Sequence, residues 1–167
     1  MLAEPLFIVL STAAVIGALG MLISRNPVAG ALWLILTLFC VAGLYLTLSA
    51  EFIAVVQVLV YAGAIMVLFL FVIMLLNLGS LPLMEKMDWK KGLAFALCLI
   101  VLTQLVFVVA TGLEMLPAET GIAADAGSAS TIAKSLFTRH MLEFEVIGVL
   151  LLVATVGAVM LAKRNFV

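Results

Sequence analysis

Gln57, Tyr61 and Gly63 are the residues in this chain whose types and spacing could do chemistry. All three sit in the first half of a charge-free run from Phe52 to Leu78, and on a helix Gln57 and Tyr61, four apart, share a face. Tyrosine in a membrane normally settles at the interface, yet Tyr61 comes about ten residues into the run, near mid-depth, where its hydroxyl needs a partner. Two readings stand side by side. Gln57 and Tyr61 can glue neighbouring helices by hydrogen bonds worth roughly 0.6–2 kcal/mol each, or they can line a hydrated polar seam that opens and closes. Gly63, flanked by Ala62 and Ala64, leaves three positions without bulk. Such a stretch permits close helix approach, the plainer explanation, and equally tolerates a local wide turn. A one-residue π-bulge would rotate everything beyond it by about 100°.

Other chemistry has little foothold. His140 is the only histidine, and a loop histidine is ordinarily just solvated; the sharper alternative, a proton carrier at a helix mouth, rests on its neighbours Glu143 and Glu145. Cys40 and Cys98 lie inside apolar segments with no second cysteine or histidine at ligand spacing, and read as small buried hydrophobes. There is no glycine-rich phosphate loop, serine elbow, CxxC or HxxxH. No catalytic, cofactor-binding or metal site is therefore assigned to the chain. No Asp, Glu, Lys or Arg stands deep inside an apolar segment, and intramembrane ionisable groups are the usual mark of an ion pathway. A self-contained pump, antiporter, channel or transporter is disfavoured on that ground.

The elements that must position these residues follow from composition. With 67% hydrophobic and 10% charged residues and a mean hydropathy of +1.42, the chain cannot hide its apolar surface in a soluble fold of this size. It reads as an all-α, polytopic membrane protein, one integral membrane domain over residues 1–167 embedded in a lipid bilayer. Five apolar segments, 5–23, 28–49, 52–78, 92–113 and 145–162, are each near the length a helix needs to cross. The first lacks a basic leader and exceeds a signal segment, so it is expected to be retained. The third is too long: its 27 residues would reach about 40 Å against a core of about 30 Å, so the helix must tilt, kink or protrude.

Arg25-Asn26-Pro27 is a stop and restart, with proline at the first helical position where its missing N–H costs nothing. Ser49-Ala50-Glu51 is as short, which makes the first three helices antiparallel neighbours. The long loop 114–144 can hold a short surface helix over Thr131 to Arg139. Five crossings put Arg25, Lys86, Lys90, Lys91, Lys163 and Arg164 on one side and only Lys134 and Arg139 on the other, which sets the C-terminus in the cytoplasm and the N-terminus and loop 114–144 outside. Ala13-x-x-x-Gly17, Ala14-x-x-x-Ala18 and Ala154-x-x-x-Ala158 read as helix-packing faces, implying protein neighbours. A basic patch of the kind nucleic acid requires is absent.

The run Val58-Leu-Val-Tyr61-Ala-Gly63-Ala-Ile-Met-Val-Leu-Phe69, continuing to Met74-Leu-Leu-Asn77, resembles the third helix of the subunit J family of bacterial NADH:quinone oxidoreductase, counterpart of mitochondrial NADH dehydrogenase subunit 6. Arg25-Asn26-Pro27-Val28 and Phe144-Glu145 leading into Leu150-Leu-Leu-Val-Ala154-Thr-Val-Gly157-Ala agree in order and spacing, so the resemblance covers nearly the whole chain.

That resemblance implies a five-helix membrane-arm subunit of respiratory complex I in the bacterial inner membrane, packed near the quinone module. FMN, iron-sulfur clusters and quinone would belong to partner subunits and none to this chain. It further implies a π-bulge around Tyr61-Ala62-Gly63, whose change to regular helix gates a hydrated proton path, so that Tyr61 and Gly63 inherit a gating role by position. Two positions depart from common family residues: Gln57 stands where some members carry Glu, and Ala29 where many carry His. The equivalent subunit of a related energy-converting hydrogenase, ferredoxin-dependent complex or multisubunit cation/proton antiporter, which could use a similar helix, stays open as an alternative.

Overall fold

A computed structural model describes residues 3–76, 89–115 and 125–163. They form six helices: α1 (Ala3–Ile23), α2 (Pro27–Thr47), α3 (Glu51–Leu75), α4 (Trp89–Met115), α5 (Ala129–Thr138) and α6 (Met141–Ala162). All but α5 are long and apolar enough to cross a membrane. α3 is composite, with a π-helical segment, Gln57–Ile65, between α-helical Glu51–Val56 and Met66–Leu75.

α1 and α2 turn back on each other through a compact cap. The Asn26 side chain accepts a hydrogen bond from the Val28 amide at 2.9 Å while Pro27 fills the first helical position, so the restart of α2 is fixed by two adjacent residues. The helices approach where glycine removes bulk. A Cβ at Gly17 would lie 2.5 Å from Thr37 Oγ1, and one at Gly20 would lie 2.7 Å from the Trp33 ring. At Gly43 the reciprocal fit occurs, with Leu10 of α1 filling the space.

α2 is the centre of the described structure, packing against α1 and against all three pieces of α3. The buried residues along it and α3 are mostly small: Ala31, Cys40, Ala42, Ala54 and Ala62, with Met66 and one polar side chain, Gln57. This suits a bilayer, where helices associate by close packing because lipid is as apolar as leucine. By contrast α4 and α6 have none of their apolar windows buried within the chain. Cys98, expected to be buried, is exposed for that reason, whereas Cys40 on α2 is buried.

Several boundaries differ from the sequence expectation. α2 stops at Thr47 because the chain turns at Ser49, whose φ of 58° is left-handed and cannot continue a helix. α3 starts at Glu51 and its regular helix ends at Leu75, and residues 77–78 of the expected span lie outside the described residues. α4 runs past both expected ends. α6 begins at Met141 rather than at 145, because Glu143 in its first turn complements the positive helix terminus instead of ending the helix. Within 114–144, α5 occupies Ala129–Thr138 with Ser128 as its N-cap, accepting from the Thr131 amide at 3.3 Å. The rings of Phe137 and Phe144 meet edge to face at 5.1 Å and tie α5 to the start of α6.

Candidate functional site: the wide turn of α3

A π-helix bonds each N–H one residue further back than an α-helix does, and the Met66 amide, which closes the segment, is shared between the Gly63 and Tyr61 carbonyls. The widened turn needs an unbulky residue on its wall. Among the described residues beyond its own adjoining turn, a Cβ at Gly63 would meet the Val58 carbonyl oxygen of its own helix, at 3.1 Å, and nothing from another element. Gly63 thus makes room for the turn itself, and no described helix comes up against it.

The wide turn changes which residues face α2. Along α3 the buried positions are Ala54, Gln57, Ala62 and Met66. The step from Gln57 to Ala62 is five, where a regular helix would take three or four. Consequently Tyr61, four from Gln57, does not share its burial: Gln57 is 9% exposed and Tyr61 50%. Ile65, four beyond Tyr61, is likewise exposed, while Met66 is buried. Ala64 is exposed. The expected common face of Gln57 and Tyr61 belongs to a regular helix, which this segment is not.

Beside the first turns of α3 lies an apolar groove of about 430 Å³ between α2 and α3, lined by Phe39, Gly43, Leu46, Val55, Val58 and Leu59. Its lining offers no donor or acceptor side chain, and Gln57 is the one buried polar side chain among the described residues.

Other expected residues lie apart from the wide turn. Gly17 is buried at the α1–α2 contact beside Thr37. Ala154 and Ala158 on α6 are exposed. His140 Nδ1 stands 3.7 Å from Glu143 Oε1, with both side chains more than half exposed, and Glu51 is exposed in the first turn of α3. Among the described residues no three His, Cys, Asp or Glu side chains converge.

One contact escaped the sequence reading. Gly127, in the long fourth loop, accepts a hydrogen bond from the Phe52 amide on its carbonyl at 3.3 Å and lies against Ser49 and Ala50. The glycine-rich stretch around it reads as loop, and only its contact with the α2–α3 turn gives Gly127 a place.

Against known proteins, the family model described as NADH-ubiquinone/plastoquinone oxidoreductase chain 6 matches residues 17–161. The chain is 34% identical to NADH-quinone oxidoreductase subunit J of Rhodobacter capsulatus, over 95% of this chain and 81% of that protein. It is 35% identical to the protein of the same name from Pseudomonas aeruginosa, over 91% of this chain and 92% of the relative. A chloroplast relative, NAD(P)H-quinone oxidoreductase subunit 6 of Mesostigma viride, is 37% identical over 95% of this chain and 82% of its own length.

Proposed function

The chain belongs to the NADH-ubiquinone/plastoquinone oxidoreductase chain 6 family, and from that premise we propose that α3 couples quinone reduction to proton translocation by switching between a wide-turned and a regular helix. Membership makes the chain a multi-pass membrane-arm subunit of NADH-quinone oxidoreductase, with other subunits of that complex as its partners. Redox chemistry on this reading belongs to those partners, which hold FMN, iron-sulfur clusters and quinone, and this chain contributes shape change and no catalytic residue.

One observation carries the reading: the buried stripe of α3 steps by five residues across the π segment, so that Ala62 and Met66 occupy the places Tyr61 and Ile65 would take in a regular helix. Closing the wide turn with Glu51–Val56 held fixed rotates Met66–Leu75 by about 100°. That rotation brings the Tyr61 hydroxyl to the α2 flank beside the Gln57 amide, in place of the Ala62 methyl. A tyrosine hydroxyl and a carboxamide can anchor water between them, whereas alanine cannot. The two states thus differ in whether that flank of the helix is wet or dry. Gly63 keeps both accessible, because it crowds neither geometry.

The switch needs a partner that distinguishes the two states, since a ligand or neighbour shifts an equilibrium only by its differential affinity. Inverting a 1:99 population takes about 5.5 kcal/mol. Redox-linked rearrangement at the quinone module is the source this reading assigns. The excess of Lys and Arg on one side supports a cytoplasmic C-terminus and an external N-terminus in a bacterial inner membrane.

High-resolution maps of the intact complex, at rest and during turnover, test the proposal. Two populations are expected, one with Ala62 and one with Tyr61 and ordered water on the α2 flank; a wide turn unchanged in every state removes the switch. A free-standing transporter would instead show activity from the purified chain in liposomes, and none is expected.

A further inference from the structure

We infer that Gly127 is a positioning residue for α3, an external clasp that holds the start of the helix while the part beyond the wide turn rotates. The inference rests on the switching role proposed above. Its basis is a mismatch at the α2–α3 turn. A helix start leaves its first amides without partners, and a side chain at the N-cap ordinarily takes one of them. Here the N-cap is Ala50, whose methyl can accept nothing, and no side-chain cap is made. The Phe52 amide is instead taken by the Gly127 carbonyl at 3.3 Å, from a residue 75 positions along the chain.

The turn is shaped for that contact. Ser49 holds φ at 58°, a left-handed conformation that L residues other than Asn and Asp seldom adopt. It presents its carbonyl toward Gly127, and a Cβ built there would collide with Ser49 O and come within 2.8 Å of Ala50 Cα. Only glycine admits so close an approach. The next residue, Ser128, caps α5, and α5 leads through Arg139 and His140 into the membrane helix α6. The clasp therefore ties the fixed end of α3 to α6, five residues ahead of the Gln57 side chain that must stay in place on α2.

A rotation is transmitted only if one end is held. With Glu51–Val56 loose, closing the wide turn could be taken up by the short N-terminal piece turning the opposite way, leaving Tyr61 outside. The clasp makes the longer, C-terminal piece the one that moves.

Gly127→Ala in the intact complex tests this, with NADH oxidation by an artificial acceptor used to verify assembly. Hydrogen exchange at the Phe52 amide is expected to quicken roughly five- to tenfold, and protons pumped per quinone reduced to fall. Unchanged exchange removes the clasp; faster exchange with normal pumping removes its positioning role. Adding Ala50→Ser to Gly127→Ala restores a local cap, and recovery of pumping there would reduce Gly127 to capping alone. If Gly127→Ala fails to assemble, a short bis-maleimide bridging Glu51→Cys and Ala126→Cys asks the converse. Pumping should survive the bridge, and its loss would mean that this end must move. These readouts bear on the clasp; the separate failure of the switch would appear in Gly63 variants with Phe52 exchange undisturbed.

Discussion

Gln57 and Ala62 are five residues apart in the chain and both buried, on a segment whose neighbour is α2, while Tyr61 between them is half exposed. The spacing is the imprint of the wide turn: one extra residue is accommodated within it, and the side chains beyond are displaced around the axis by one position. The polar residue in register with Gln57 in a regular helix is Tyr61, and in the wide-turned helix it is replaced by a methyl group.

Gly63→Ala adds a Cβ 3.1 Å from the Val58 carbonyl in the π segment, and alanine favours a regular helix over glycine by about 1 kcal/mol. The expected result is about a fivefold shift toward the regular form, visible as a changed ratio of particle classes. Gly63→Leu should go further, reducing protons pumped per quinone while NADH oxidation by artificial acceptors is retained. An assembled Gly63→Leu complex that pumps normally would end the switching account.

Tyr61→Phe keeps the ring and removes only the hydroxyl. Intramembrane hydrogen bonds are worth roughly 0.6–2 kcal/mol, so proton translocation is expected to slow by a factor of about three or more, with the helix itself unaltered. Measured pumping equal to the parent would leave the hydroxyl without a part in the path.

Gly17→Leu should act through structure alone. Its side chain must enter the space held by Thr37, whose Oγ1 is 2.5 Å from the position of a Cβ at residue 17 and already donates to the Trp33 carbonyl at 3.0 Å. Overpacking of this kind costs about 1–3 kcal/mol. A lower thermal midpoint of the assembled complex is expected, with proton stoichiometry per quinone preserved in what remains; a normal midpoint would show α1 free to shift.

His140→Ala is expected to leave pumping and its pH profile unchanged. The imidazole is 3.7 Å from Glu143 with both groups largely exposed, and such surface pairs contribute little. A displaced pH profile would identify His140 as a proton carrier.

How far the sequence speaks depends on the interaction concerned. Apolar length and charge placement identified five spans, because crossing a bilayer is a local requirement that each segment meets by itself. Asn26-Pro27 announced the α1–α2 turn for the same reason: the cap is made by adjacent residues. The relation of Gln57 to Tyr61 was misjudged because the spacing rule assumes the regular helix that the intervening turn abandons. Gly127 could not be placed, since its partner Phe52 is remote in sequence and the bond uses only backbone atoms, which carry no residue type to read. α6 begins at Met141, ahead of the apolar segment, because glutamates that bound an apolar run are also favourable first-turn residues.

The π segment of α3 spans Gln57–Ile65, and a helical register can hold one residue more or one fewer but not a fraction. Its settings are consequently discrete. Small elastic deformations of the surrounding membrane arm bend such a helix without altering which side chain occupies the α2 flank, so the output stays constant until a whole residue is gained or lost. A device of this kind behaves as a latch with a threshold: thermal noise below that threshold does not leak through it, and a strong input produces the same full step each time.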